Sequence, residues 1–276
     1  MKNILITGSD GFIGSNLISE LEKKKKYFLF ALTKKRKKDK PKVKFINKQI
    51  SGNLDEVFKK VDLIIHCASK GVYGKGTQKE IFKTNYSESL KFFDKAFKNG
   101  CKNWIILGSS AEYGYIKNKS LSAINTKPNP VNAYGKSKVL FLNNLKKKSY
   151  IKNCKVLYLR IFHVYGKNEP SGRLYTDLIK AIRDSRDFEM SSGKEYRDFI
   201  NVDDVCKMII KSFSIFQNKN FFIIKHIGSG KKIKVKVFVK NILKKYPNSK
   251  IKILFNKVKD KNIYHSMYSD QKSILR

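Results

Sequence analysis

Tyr134 and Lys138, with a serine of the pair Ser109-Ser110 upstream, have the side-chain types and spacing for proton transfer to an oxygen. Tyr134 and Lys138 stand four apart, so a helix across them projects both from one face. A free tyrosine has a pKa of about 10. An ammonium beside the phenol favours the phenolate and lowers that value. The tyrosine then serves as general acid or base near neutrality, with a serine hydroxyl holding the substrate oxygen. Tyr-x-x-x-Lys alone is a common accident of sequence, and its setting gives it weight. Pro128-Asn-Pro-Val-Asn132 punctuates a loop just before it, and Asn132 or a neighbour begins a helix running to about Lys148. Upstream, Gly108-Ser-Ser-Ala-Glu-Tyr-Gly114 follows the apolar run Cys101–Leu107. That run predicts a strand with Ser109 and Ser110 at its carboxyl end, where ligands of open α/β sheets bind. His66 ends another apolar run with no carboxylate near it in sequence to orient it, so it is expected to serve the core.

The elements that must position these groups begin at the first residues. Ile4–Ile6 predicts a buried strand, Gly8, Gly11 and Gly14 follow at three-residue spacing, and Phe12, Ile13, Leu17, Ile18 and Leu21 mark an amphipathic helix. A strand, a glycine turn and a helix N-terminus make a pyrophosphate site, with free N–H groups and the helix dipole facing the negative charge. Further strands are expected at Tyr27–Thr33, Val43–Ile46 and Val61–Ser69, with a short helix at Leu54–Lys60 and a long one over Thr77–Asn99. The alternation predicts a parallel sheet covered on both faces. Small residues after His66, including Ala68 and Ser69, suit close approach of a cofactor. The second strand ends in Thr33 and then Lys34-Lys-Arg36-Lys-Lys38, with no acid. An acid at that strand end favours NAD and a base accommodates the 2′-phosphate of NADP, so Thr33, Lys34 and Arg36 lean to NADP in a chain that places Lys everywhere. Later segments predict helices at Arg173–Asp184, Val202–Phe213 and Val235–Lys245, and strands at Phe221–His226 and Ile251–Phe255.

Composition narrows the classes. A chain of 276 residues with 41% hydrophobic residues buries a sizeable core. No apolar run approaches the ~20 residues a bilayer span needs, and a strand beginning at the first residues leaves no room for a signal peptide. Cys67, Cys101, Cys154 and Cys206 lack metal-ligand spacing, so they are expected to be reduced thiols in a cytoplasmic protein without a metal. The net charge of +38 comes from 60 basic residues of which only seven are Arg. That lysine excess is expected on solvated faces and not in a nucleic-acid site, which more often clusters Arg with aromatics.

With these motifs in order, the sequence resembles the extended short-chain dehydrogenase/reductases, in the NAD(P)-dependent nucleotide-sugar epimerase/dehydratase/reductase group. Thr7-Gly-Ser-Asp-Gly-Phe-Ile-Gly14 resembles that family's nucleotide loop, and Ser109, Tyr134 and Lys138 match its catalytic trio. Asp62–Ser69, Leu159–Gly166, Arg197–Val205 and Ile227–Gly230 resemble four further family motifs, so the likeness spans nearly the whole chain. It implies an α/β, Rossmann doubly wound parallel sheet with a small C-terminal substrate-binding lobe. Residues 1–165 with the return segment 199–225 would form the NAD(P)-binding domain, and 166–198 with 226–276 the lobe. Gly8, Gly11, Phe12, Ile13, Gly14, Ala68 and Ser69 would line the cofactor, with Ile161 and Val164 flanking the nicotinamide. Asn85 falls where the family has a structural asparagine. Ile50 follows Gln49 where the family often has Asp-Ile near the adenine, which puts that contact in question. Ser110, His163, Arg173 and Arg197 would face the substrate, Arg197 at the nucleotide diphosphate, a task suited to an arginine fork.

The reaction is narrowed by departures from the pattern. Dehydratases of the group carry Thr-Asp-Glu-like residues where this chain has Ser109, Ser110 and Ala111, and eliminating water needs those extra carboxyl groups. GDP-sugar epimerase-reductases place a Cys where Ala111 stands. Reduction of an NDP-4-keto-6-deoxyhexose, resembled at Phe162–Gly166 and Glu169–Leu174, and 4-epimerisation with retained NAD both remain, and reduction is favoured. A nucleotide-sensing or RNA-binding protein on the same fold is the alternative of another class. The resemblance also implies a homodimer through the helices near 77–98 and 132–148, using Ile81, Phe82, Phe92, Leu140 and Phe141. The few residues after Asp270 imply a reduced lobe or one completed by another subunit.

Overall fold

The computed structural model describes residues 2–72, 74–116, 119–217, 222–259 and 267–275. Seven strands form its central sheet: β1 (Lys2–Thr7), β2 (Tyr27–Thr33), β3 (Val43–Asn47), β4 (Leu63–His66), β5 (Asn103–Ser109), β6 (Lys155–Ile161) and β7 (Phe222–Ile227). Their order is β7-β6-β5-β4-β1-β2-β3, and every neighbouring pair is parallel. This is the doubly wound Rossmann arrangement. The direction of winding reverses beside β1, which leaves a crevice at the carboxyl ends of β1 and β4.

The intervening helices are α1 (Phe12–Glu22), α2 (Asp55–Phe58), α3 (Gln78–Phe82), α4 (Ser89–Lys98), α5 (Ala133–Ile151), α6 (Leu174–Arg183), α7 (Val202–Lys211) and α8 (Val235–Leu243). Strand alternation sends side chains to two cores. Ile4, Ile6, Ile65, Ile105, Leu107 and Leu157 meet Leu17, Leu21, Val205 and Ile209 of α1 and α7. Leu5, Ile64, Trp104, Ile106 and Tyr158 meet Phe92, Phe93, Phe141 and Leu145 of α4 and α5. A sheet buried on both faces explains why its strands are apolar runs without polar alternation.

The long helix expected over Thr77–Asn99 is broken. α3 opens with a capping box between Thr77 and Glu80, and a π turn at Lys83–Glu88 separates it from α4. Such turns are frequent at functional sites, and this one carries Asn85. The strand expected at Val61–Ser69 pairs only over Leu63–His66, and the residues after it leave the sheet to form the crevice wall. The helix expected at Leu54–Lys60 is a single turn at Asp55–Phe58, and the strand expected at Ile251–Phe255 pairs only at Ile253–Leu254. Phe221, the expected start of β7, lies outside the described residues.

Beyond the central sheet lie short pairings. Lys119–Leu121, Tyr196–Arg197, Ile233–Lys234 and Met267–Ser269 form a four-stranded sheet. His163–Tyr165 pairs with Phe199–Asn201, and Phe188–Glu189 with Ile253–Leu254. These strands are too short for periodicity to announce them in sequence. A separate apolar cluster built on Leu178, Ala181, Phe188, Phe238 and Val239 lies with them. No helix among the described residues is long and apolar enough to cross a membrane.

Candidate active site

A cleft of about 610 Å³ opens along the carboxyl ends of the central strands. One wall is the glycine loop with Gly8, Gly11, Phe12, Ile13 and Gly14. Ser109, Ser110, Tyr134 and Lys138 line it further along, and Ser69, Ile161, His163, Val164 and Arg173 complete it. The sequence separated these groups by up to 165 residues, and strand order alone brings them together. Gly8 has φ +66°, and a Cβ there would stand 2.7 Å from the Ala68 backbone nitrogen. Only glycine lets the loop fold this closely against the end of β4, which leaves the backbone and the start of α1 open in a cradle of the kind that fits a dinucleotide pyrophosphate. The loop therefore fits a nicotinamide dinucleotide.

Ser109 ends β5 and caps the following 3₁₀ turn, Ser110–Tyr113. Its Oγ accepts from the Ala111 N–H at 3.1 Å, so its own O–H is directed to another acceptor. Glu112 returns to the same residue, accepting from the Ser109 N–H at 2.9 Å. The Glu112 carboxylate is wholly buried and also accepts from Tyr158 at 2.7 Å and from the Arg160 Nε at 2.7 Å. Arg160 Nη1 donates to the Tyr113 hydroxyl at 2.9 Å, and that hydroxyl is 2.6 Å from His226 Nε2. Burial, and then the Arg160 charge, bring His226 down to about 3, so it stays neutral. The serine thus rests on a buried network rooted in β5, β6 and β7.

Tyr134 and Lys138 come from the start of α5, capped by Asn132, which accepts from the Gly135 N–H at 2.8 Å. Gly135 permits this placement: a Cβ there would stand 2.5 Å from the Ala111 carbonyl oxygen, so the helix seats directly on the turn that carries Ser109. Lys138 is buried, with Nζ 5.9 Å from the centre of the Tyr134 ring and donating to the Leu107 carbonyl at 2.9 Å. Burial lowers its pKa to about 8, against the opposing pull of Glu112. This is an ammonium held beside a phenol, as the four-residue spacing predicts.

A second cleft of about 430 Å³ adjoins the first and shares His163, Val164, Glu169 and Arg173 with it. Arg197 lines this second cleft, 8% exposed, with Nη1 donating to the Tyr196 carbonyl. Glu169 stands between the clefts, its side chain nearly buried and in contact with Thr176 and Arg173. Burial raises its carboxyl above the usual range.

The remaining sequence-selected residues do not form the cleft wall. Asn85 stands one layer behind. Its amide accepts from the Lys70 N–H and the Ser69 hydroxyl, and donates to the Lys70 carbonyl and to Ser137. It holds the loop after β4 against α5 and has its hydrogen-bonding capacity consumed there. Ala68 sits beside the glycine loop, its N–H donating to Thr7 Oγ1. Ile50 is packed in the core near Leu54 and Phe58. Thr33 is buried at the end of β2, with Lys34 and Arg36 exposed beyond it. His66 lies between Thr7 and Ser89, and burial brings its pKa to about 3, the neutral core histidine expected. The implied dimer face needs correcting, because Ile81, Phe92 and Phe141 are interior, whereas Leu140 is exposed.

Three residues escaped sequence reasoning. Glu112 stands one place past the dehydratase positions, and its link to Ser109 needs the fold of the turn. Glu169 carries no local pattern. Asp10 sits in the glycine loop, but its carboxylate reaches the end of β2.

Comparison with known proteins agrees with this geometry. The NAD dependent epimerase/dehydratase family matches residues 4–220. CDP-abequose synthase of Salmonella muenchen is 25% identical, over 93% of this chain and 85% of its own. GDP-6-deoxy-D-talose 4-dehydrogenase of Aggregatibacter actinomycetemcomitans is 27% identical, over 82% and 75%. Among solved structures, UDP-N-acetylglucosamine 4-epimerase from Methanobrevibacter ruminantium M1 superposes with a TM-score of 0.84 at 22% identity, covering 98% of this chain and 90% of that one. The matched span runs from the glycine loop through Ser109, Tyr134 and Lys138 to the return of the chain at α7, and this chain is an enzyme of the NAD dependent epimerase/dehydratase family.

Proposed function

We propose that the protein reduces a 4-keto group on a nucleoside-diphosphate 6-deoxyhexose. The observation that carries this reading is the convergence of Ser109, Tyr134 and Lys138 on the cleft that the glycine loop walls. A nicotinamide dinucleotide bound there supplies the hydride. Ser109 donates a hydrogen bond to the ketone oxygen and fixes its position. Tyr134 delivers the proton that converts the oxygen to a hydroxyl as the carbon gains hydride, so one ketone, one hydride and one proton give one alcohol. Lys138 favours the phenolate left on Tyr134.

Dehydration is disfavoured because Ser110 and Ala111 stand where dehydratases of the group carry their catalytic carboxyl groups. Glu169 is the one carboxylate among the residues lining the main cleft, and Glu112 is committed to Ser109, Tyr158 and Arg160. One relative is GDP-6-deoxy-D-talose 4-dehydrogenase, which supports redox at C4 with net exchange of hydride. Gly8, Gly11, Phe12, Ile13 and Gly14 hold the dinucleotide in this reading, with Ile161 and Val164 at the nicotinamide. The lobe of residues 166–198 and 226–276 receives the sugar nucleotide, with Arg197 and Arg173 toward its diphosphate and His163 and Ser110 toward the sugar. The phosphorylation state of the cofactor's ribose is decided at the end of β2, where Asp10 stands.

The test supplies the purified protein with a reduced nicotinamide dinucleotide and an NDP-4-keto-6-deoxyhexose and follows nicotinamide absorbance. Consumption is expected, and Tyr134→Phe is expected to lower it by about 10²–10⁴-fold, the scale of general acid catalysis, while cofactor binding persists. No consumption, together with interconversion of UDP-hexoses and NAD retained through purification, would replace reduction by 4-epimerisation. Turnover unaltered by Tyr134→Phe would remove the proton-transfer role.

A further inference from the structure

Asp10 is an acid in a chain with 22 acids against 60 basic residues, and it is placed where that imbalance matters most. It precedes Gly11 in the glycine loop, yet its carboxylate stands at the carboxyl end of β2. Oδ2 accepts from the Thr33 hydroxyl at 2.7 Å and from the Lys34 backbone N–H at 2.8 Å. Oδ1 accepts from Lys37 Nζ at 2.5 Å. The adjacent Ser9 hydroxyl donates to the Leu32 carbonyl at 2.7 Å, so the loop is latched to the strand on both sides of the contact. Burial pushes the Asp10 carboxyl up, but hydrogen bonds from Lys37, Thr33 and Lys34 outweigh it and hold the group below the usual carboxylate range. It is therefore ionised at neutral pH.

The end of β2 is the place that faces the adenosine ribose in a dinucleotide fold. A carboxylate there accepts from a 2′-hydroxyl and repels a 2′-phosphate. In this chain β2 itself ends in Thr33 and offers no acid. The loop supplies one from the other side. A carboxylate has about four acceptor positions, of which three are occupied here, so one remains on Oδ1. Lys37, a cation of the basic run after Thr33, is already engaged by Asp10. Lys34 contributes its backbone N–H to the same carboxylate. One cation of that run is thus paired at its contact with the loop.

We propose that Asp10 is the specificity determinant of the cofactor site, accepting a free 2′-hydroxyl and excluding a 2′-phosphate, so that the enzyme takes NAD in preference to NADP. This rests on the dinucleotide reading of the cleft. Removing the charge also releases Lys37 to meet a 2′-phosphate.

Isothermal titration of the purified full-length protein with NAD and with NADP, without sugar substrate, tests it. Wild type is expected to bind NAD the more tightly. Asp10→Asn is expected to shift the NAD-to-NADP affinity ratio toward NADP by about tenfold, the scale of one charged hydrogen bond. Adding Lys37→Met to Asp10→Asn removes the gained NADP affinity. Asp10→Glu, which keeps the charge, retains preference for NAD. A wild type that prefers NADP, or a ratio that Asp10→Asn leaves unchanged in a protein with an unaltered melting temperature, overturns the role of Asp10 and leaves the dinucleotide reading standing. Wild type that binds neither nucleotide overturns both.

Discussion

The two clefts that share His163, Val164, Glu169 and Arg173 are built by different means. The first rests on the ends of parallel strands four to seven residues long, with a buried polar network behind its serine. The second is framed by strands of two or three residues and by side chains from α6 and α8, over a smaller apolar cluster. In the first, each reacting group is placed by backbone that many neighbours hold. In the second, Arg197 reaches the cleft from a two-residue strand and Arg173 from the N-cap of α6. On the proposed reading, a chemistry that needs accurate placement falls to the cleft at the sheet, and recognition of a particular sugar nucleotide to short segments and loops, which tolerate change.

The contrast can be broken most forcefully at Glu112. Replacing it by Ala leaves Arg160 buried without its carboxylate and the Ser109 N–H without its side-chain acceptor. Removing one partner of a buried pair costs about 3–5 kcal/mol. Glu112→Ala is therefore expected to lower the denaturation midpoint sharply in a urea titration, and a midpoint unchanged from wild type would show that the network does not hold the first cleft. Arg197 tests the other side. Arg197→Ala should cost about 1.5–3 kcal/mol of substrate affinity, the worth of charged hydrogen bonds to a diphosphate. It should raise KM with little change in kcat. A loss of kcat at unchanged KM would place Arg197 with the reacting groups and erase the division between the clefts.

The smallest expected effect is a pH dependence at Lys138, whose pKa burial lowers to about 8. Between about 8 and the ordinary value near 10.5 the unfolded chain binds more protons at this group than the folded one. Its contribution to stability therefore rises with pH across that window, since the folded state no longer holds a buried charge. On the proposed role of Lys138 beside Tyr134, activity is expected to move oppositely, because the Lys138 ammonium is lost above about 8. Turnover of the cofactor-limited enzyme should fall above that pH, and Lys138→Met, with its lower ceiling, should lose this alkaline limb. A limb that persists in Lys138→Met would assign it to another group.

Much of the first cleft was legible because its signals are local. Apolar runs of strand length, glycines at a turn and two side chains one helical turn apart are readable from neighbours in sequence, and so were β1, α1, β2, β5, α5, Gly8, Gly11, Gly14, Tyr134 and Lys138. The breaks were not legible. Nothing in the apolar spacing of Thr77–Asn99 announces the π turn that lets Asn85 hold Ser69 and Lys70, because that turn is stabilised by contacts across to α5. The same holds for the pairing of His163–Tyr165 with Phe199–Asn201, whose register depends on residues far along the chain.

By itself the sequence determined the parallel α/β frame and the glycine loop, since periodicity and short spacing encode local backbone and strand ends, and its resemblance to the family singled out Ser109, Tyr134 and Lys138. Tertiary structure alone decided what stands behind and beside them. Glu112 reaches Ser109 because a 3₁₀ turn folds back on β5, and Arg160 meets Glu112 because β6 pairs with β5. Asp10 meets Thr33 because β1 and β2 lie side by side in register, which brings to the end of β2 an acid that β2 does not contain. Partners separated by strand order leave no mark in local sequence, and the electrostatics of the site is made of such partners.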